Sequence, residues 1–166
     1  MAAKFSFKKS DVTDEEIMSY INRRENITVI TFISSLTGIP HTCPVWGGFF
    51  DGRFFFQSED YSTKVKSIRN GAEKIGVSII DPRQFPEYLE GYFPYISLGG
   101  RAIVRRKKDF GDFEKILRLI FQKYVEDEKE RVRLLNYVLK EVKTRVLIEV
   151  LPEWVKARKV PKAAPK

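Results

Sequence analysis

Cysteine and histidine are almost missing from this chain of 166 residues: Cys43 and His41 are the single representatives. One thiol excludes an internal disulfide, and one thiol with one imidazole cannot build a four-ligand zinc site within one chain. The two fall at alternate positions of one extended segment, so on a strand they share a face. There they pack, touch a ligand, or begin a metal site that acidic residues or a second subunit would have to complete. Long hydrophobic runs are missing too. No stretch approaches the roughly 20 apolar residues of a bilayer-spanning helix, and Met1 to Ser10 carries lysines without an apolar leader core. The expectation is a soluble, unprocessed, cytoplasmic chain. Asn, Gln, Cys and Met are scarce beside abundant Lys, Arg and Glu, a balance that resembles proteins of hot environments.

Acidic residues are outnumbered, 22 against 30 basic ones, for a net charge of +8. The excess is unevenly placed. Lys156, Arg158, Lys159, Lys162 and Lys166 fall in the last eleven residues with no acid among them, which leaves a body excess of only +3. A Pro- and Ala-spaced basic segment of this kind reads as a flexible, solvated tail over 156–166. Arg105-Arg106-Lys107-Lys108 reads as a solvated turn between a strand and a helix. Without a basic stripe on the body, a nucleic-acid-binding barrel is disfavoured, and a membrane partner is not expected.

The length suits one domain over residues 1–155 that buries about 70% of its unfolded surface. Thr13-Asp14-Glu15-Glu16 is a capping box, with Val12 and Ile17 as hydrophobic staple, so a helix is expected over 13–24 with Ile17, Tyr20 and Ile21 as its apolar face. Ile27 to Ile33 is apolar on both faces, as befits a strand covered by the core on one side and by a helix or second subunit on the other. Pro44 lies in the next strand, where it cannot donate to a ladder and should face an edge, a bulge or a ligand. Ile75, Val77 and Ile79 alternate into a further strand. The segment 83–95, rich in Tyr, Phe and Pro, reads as a loop whose aromatics pack on the barrel, cover a dimer contact or form a lid. Tyr95 to Arg105 is a long strand with a bulge at Gly99-Gly100. Helices follow over about 109–142, the first capped by Asp109 with an apolar stripe from Phe110 to Tyr124, the second carrying Val132, Leu135, Val138, Leu139 and Val142. Val146, Ile148 and Val150 close the domain as a strand. Six strands with interspersed helices make a mainly β, α+β chain: a small antiparallel barrel with helices over its openings.

The chemistry concentrates between Pro44 and Lys64. Asp51-Gly52 is a preferred pair for a two-residue type I′ loop, which sets the register of the flanking strands. Phe50 then lies opposite Arg53, Phe49 opposite Phe54, Gly47 opposite Phe56, Trp46 opposite Gln57 and Val45 opposite Ser58. After Ser58 the period turns helical, with Ser62 as N-cap, Val65 and Ile68 on one face and Gly71 as the stop. Ser62, Thr63 and Lys64 at a helix start read as a phosphate seat, or alternatively as an ordinary capped helix with solvated lysines.

The ordered set Pro44-Val45-Trp46, Asp51-Gly52, Phe54, Phe56, Ser58, Ser62, Lys64 and Gly100-Arg101-Ala102 resembles the pyridoxamine 5'-phosphate oxidase-like flavoproteins, whose members bind FMN or the deazaflavin F420. The likeness covers roughly residues 25 to 155. It implies a six-stranded antiparallel split β-barrel of the FMN-binding type. It further implies a homodimer with the cofactor at the subunit interface, where the aromatic segment or Trp154 could cover the ring from the other chain. By the same resemblance, Pro44, Val45 and Trp46 lie along the flavin ring, while Gln57, Ser58, Ser62, Thr63 and Lys64 hold the ribityl chain and phosphate. Arg69, about one turn and a half beyond Lys64, points by its helical spacing to another face of the helix.

The expected function is therefore an FMN-dependent oxidoreductase, with FAD or F420 as alternative cofactors and a small molecule as substrate. An F420-binding reductase and a non-catalytic flavin-binding or electron-transfer module are the alternatives. No catalytic acid or base emerges: His41, the one side chain that titrates near neutrality, alternates away from Trp46. Dedicated pyridoxamine phosphate oxidases close their substrate site with an Arg-bearing terminal segment, whereas Trp154 here is followed by Lys, Pro and Ala, so vitamin B6 oxidation is not expected.

Overall fold

Thr13 and Glu16 open the first helix by exchanging hydrogen bonds: the Thr13 N–H donates to Glu16 Oε2 (2.9 Å) and the Glu16 N–H to Thr13 Oγ1 (3.1 Å). The computed structural model describes residues 13–82, 95–140 and 144–157, so the staple partner Val12 and the aromatic segment up to residue 94 lie outside the described residues. Helix α1 (Asp14–Ile21) buries Ile17, Tyr20 and Ile21. It stops before Arg24 because Asn22 leaves the helix and turns its amide to strand work, bonding the Phe49 N–H and C=O at 3.0 Å each.

The strands are β1 (Ile27–Ile33), β2 (Pro40–Pro44), β3 (Gly47–Phe50), β4 (Arg53–Glu59), β5 (Lys74–Ile80), β6 (Tyr95–Arg105) and β7 (Arg145–Ala157). They form one antiparallel sheet in the order β2-β1-β5-β6-β7-β4-β3. Among the described residues there are seven strands rather than the six expected, because the segment read as one strand through Pro44 divides at Val45-Trp46. Val45 still donates to Thr28 O at 2.9 Å, on the β1 side, whereas Gly47 already pairs with Phe56 of β4. Two residues thus join the two edge strands of the sheet. Three Cα–Cα steps of 3.8 Å span at most about 11 Å, so the sheet has to curl until its edges nearly meet, as a split barrel.

The hairpin register is as the turn dictates, with Phe50↔Arg53, Phe49↔Phe54 and Gly47↔Phe56 in the ladder, and positive φ at both Asp51 (48°) and Gly52 (74°). Phe54 and Phe56 face the barrel interior with Ile30, Val77, Leu98 and Ile148. Phe55, on the other face, is equally buried, because α3 (Phe113–Tyr124) and α4 (Glu128–Lys140) lay Ile116, Leu117, Ile120, Leu135 and Val138 over it. Val132 on α4 is exposed, and Val142 lies outside the described residues.

Three other expectations shift. Asp109 sits in a 3-10 turn (Lys107–Asp109), and α3 starts later, with Asp112 as N-cap, since Phe110 stacks on Phe55 (6.0 Å) before the helix begins. The basic run after β6 is not simply solvated: Arg105 pairs with Glu149 (2.6 Å), Arg106 with Asp60 (2.9 Å) and Lys107 with Glu114 (2.6 Å). Strand β7 continues to Ala157, so Lys156 and Ala157 belong to the sheet rather than to a tail, and residues 158–166 lie outside the described set. The expected bulge is present, Gly99 pairing with Trp154 and Gly100 with Pro152. A Cβ on Gly100 would fall 1.9 Å from Leu151 O, so no other residue fits there.

Candidate functional site

Where the two edges of the sheet approach each other the surface opens into a groove of 670 Å³. Pro44, Val45 and Trp46 form one wall, and Gln57, Ser58 and Lys64 line it from β4 and the start of α2 (Thr63–Arg69). Six of the eight residues expected from the sequence therefore meet. They meet differently from the expected ladder: Val45 and Trp46 belong to the crossover between the edges, so they share the groove with Ser58 and Gln57 without pairing in the sheet. The other two stand back. Ser62 keeps its extended N-cap backbone but makes no side-chain cap; its hydroxyl bonds Ser58 Oγ at 3.0 Å. Thr63 is exposed and lies outside the groove lining. Helix α2 ends as expected at Gly71, with Gly71 N–H to Ile68 O and Ala72 N–H to Ser67 O closing a Schellman pair.

Trp46, 41% exposed, has no ladder to orient it and is held by rings instead. Tyr124 stacks on it at 5.2 Å and 10°, and Phe121 meets it edge-on at 5.7 Å. The Tyr124 hydroxyl donates to Gly47 O (2.9 Å), accepts from the Gly47 N–H (3.2 Å) and lies 3.4 Å from Thr28 Oγ1. The neighbouring Lys123 ammonium donates to Gly47 O and Ile21 O at 2.9 Å each, and burial pushes its pKa below the usual lysine range, with Tyr124 acting in the opposite sense.

Charge in the groove is mixed. Lys64, Arg24 and Arg145 line it together with Glu25 and Glu59; Arg24 pairs with Glu126 (2.5 Å), and Arg145 lies 3.5 Å from Glu59, its partner in the β4–β7 ladder. The amide oxygens of Gln57 and Asn26 are buried with no hydrogen-bond partner among the described residues, and both residues line the groove. The Asn26 Nδ2 donates to Tyr20 O at 2.6 Å, which fixes the direction of that amide.

Tyr124, Arg145, Arg24 and Asn26 were not singled out from the sequence. Tyr124 reads there as the last member of the α3 core stripe, and Arg145 reaches the groove through a β4–β7 pairing that no local pattern announces. His41 and Cys43 sit away from the groove on edge strand β2, opposite Phe32 and Ile30; Arg69 pairs with Asp60; and Trp154 packs its indole over Gly99. Among the described residues, no group of three His, Cys, Asp or Glu side chains is placed to hold a metal ion, and no helix is long and apolar enough to cross a membrane.

No protein-family model matches the chain, and no curated protein matches it in sequence. Solved structures do. The conserved hypothetical protein Rv2991 from Mycobacterium tuberculosis aligns over 96% of this chain and 98% of its own, with a TM-score of 0.70 at 14% identity. An F420 reductase aligns over 83% and 94%, with a TM-score of 0.59 at 17% identity. A pyridoxamine 5'-phosphate oxidase-like protein from Listeria innocua aligns over 88% and 98%, with a TM-score of 0.52 at 14% identity. The chain thus has the mainly β, curled split-barrel fold of these structures, the fold that the Pro44 to Lys64 motifs resembled.

Proposed function

We propose that this protein is a flavin-nucleotide-binding oxidoreductase acting on a small molecule, with FMN as first cofactor, FAD as an alternative, and two copies of the chain in the working unit. The observation that carries the proposal is the convergence of Pro44, Val45, Trp46, Gln57, Ser58 and Lys64 on one groove at the split of the barrel. In this reading the crossover Pro44–Trp46 lies along the ring. Lys64, with the Ser58–Ser62 hydroxyl pair behind it and Arg145 in the same groove, takes the phosphate. Thr63, exposed at the first position of α2 and outside the groove, takes no part in this reading.

The fit is supported by the two orphaned amide oxygens: a buried acceptor without a partner costs about 1–3 kcal/mol, and a flavin brings donors in its ring imide and ribityl hydroxyls. When bound, the flavin would supply the hydride chemistry. The protein's part is orientation and electrostatics: Trp46 fixes a ring wall, Lys64 and Arg145 neutralise the phosphate, and no side chain in the groove is assigned as proton donor or acceptor.

A second copy is supported by the outer face of β1, β5 and β6. Ile27, Ile33 and Tyr95 are each near half exposed there, as is Trp154 of β7, whose indole covers Gly99, while Thr31 and Gly76 stand opposite each other with no large side chain between them. The F420 reductase among the structural neighbours supports F420 as the second cofactor reading.

The test is the visible spectrum of the purified protein with mass analysis of whatever small molecule denaturation releases, followed by turnover with NAD(P)H and with reduced F420. A flavin or deazaflavin with turnover is expected. Bound cofactor without turnover would mean a carrier or electron-transfer module, and a colourless protein that takes up none of FMN, FAD or F420 would refute the proposal.

A further inference from the structure

In the connection between the sheet edges, Val45-Trp46 leaves one ladder before entering the next. The bracing comes from the last turn of α3, far away in sequence. A phenol has one donor and two acceptor positions, and the surroundings of Tyr124 can use all three. Its proton goes to Gly47 O at 2.9 Å, one lone pair receives the Gly47 N–H at 3.2 Å, and the other faces Thr28 Oγ1 at 3.4 Å. Gly47 belongs to β3 and Thr28 to β1, which sit on opposite sides of the split. The same side chain stacks on Trp46 within 10° of parallel, with Phe121 completing a two-sided aromatic seat. Tyr124 itself lines the groove.

We infer that Tyr124 is the positioning residue of the groove: its hydroxyl sets the opening between the first and third strands, and its ring sets the plane of the Trp46 indole before a planar ligand arrives. This rests on the flavin reading for its ligand and on the geometry alone for the positioning. Holding the wall in place beforehand removes an ordering cost that the ligand would otherwise bear. The influence acts at the ring end of the site, so it should be blind to the phosphate.

The inference is tested with Tyr124→Phe, which keeps the stack and removes the three hydroxyl contacts, and Tyr124→Leu, which removes both. Dissociation constants for FMN and for riboflavin are measured by flavin fluorescence quenching. Iodide quenching of the ligand-free protein is measured alongside, with the Trp46→Phe protein used to subtract the Trp154 signal. We expect both ligands to weaken by the same factor, about threefold in Tyr124→Phe and about tenfold or more in Tyr124→Leu, with Trp46 more open to iodide in the Leu variant. Unchanged affinity in both variants overturns the inference while leaving the flavin reading intact, and so does weakening confined to FMN. If the wild-type protein takes up no flavin, the functional reading fails and iodide quenching decides: a Trp46 as protected in Tyr124→Leu as in wild type overturns the positioning role. If the Leu variant does not fold, the Phe variant decides by the same readouts.

Discussion

Replacing Lys64 by alanine probes the phosphate end of the groove with the protein's own geometry as control. Lys64 is the second residue of α2, half-buried and lining the groove. Among the described residues its ammonium has no ion-pair partner to compete with a ligand. A charge-assisted hydrogen bond contributes about 1.5–3 kcal/mol, which is about 10- to 150-fold in affinity. The low end applies, since the ammonium keeps part of its hydration and Arg145 remains as a second cation in the groove. Alanine is at least as good a helix former as lysine, so the fold should not suffer. The assay titrates wild type and Lys64→Ala with FMN and with riboflavin, which lacks the phosphate. FMN affinity should fall about tenfold and riboflavin affinity should hold. An unchanged FMN affinity, or equal losses for both ligands, would refute the assignment of Lys64 to a phosphate.

Other outcomes follow from the frame around the site. Glu149 is 1% exposed and bonded to Arg53 (2.7 Å) and Arg105 (2.6 Å). Both arginines can still reach water, so Glu149→Gln should cost about 2–3 kcal/mol, toward the low end for a broken buried pair, and lower the melting temperature by about 4–12 °C; a melting curve like wild type would count against it. Gly100→Ala should prevent stable folding because its Cβ meets the Leu151 carbonyl, whereas Gly76→Ala, with Thr31 O 4.0 Å away as nearest neighbour, should melt within about a degree of wild type. The Arg69 hydrogen bond, with Arg106 beside it, holds the Asp60 carboxyl below its ordinary value. Stability from that cluster is therefore complete above about pH 4 and lost as pH falls through the lowered value. Asp60→Asn should differ from wild type in denaturant midpoint at pH 7 and converge with it at low pH; an equal difference at both would contradict the sign. Gly76→Arg, which places a charge on the outer face beside Thr31, should convert a dimer to monomer in sedimentation and weaken FMN binding with it; a wild-type monomer that binds FMN fully would remove the second copy from the proposal.

Local patterns carried much of the structure. The capping box at Thr13 to Glu16, the positive φ pair at Asp51-Gly52 with the hairpin register it dictates, the bulge at Gly99-Gly100 and the helix stop at Gly71 are all short-range consequences of residue type, and each is present where the sequence puts it. The grouping of Pro44–Trp46 with Gln57, Ser58 and Lys64 was legible for the same reason, because one tight turn lies between them. What the sequence could not decide depends on pairings between distant segments. Whether Val45-Trp46 continues a strand or crosses from one sheet edge to the other depends on where β1 lies, and the crossing is what makes seven strands of six. Arg145 enters the groove because β7 pairs with β4, and Tyr124 because α3 packs its last turn against the crossover. A period of 3.6 marks Tyr124 as apolar-faced but not which surface its hydroxyl will meet. Residue chemistry within a turn or a cap is settled over a few bonds; the opening of the split, and the side chains that hold it, exist only once the two edges of the sheet have been brought together.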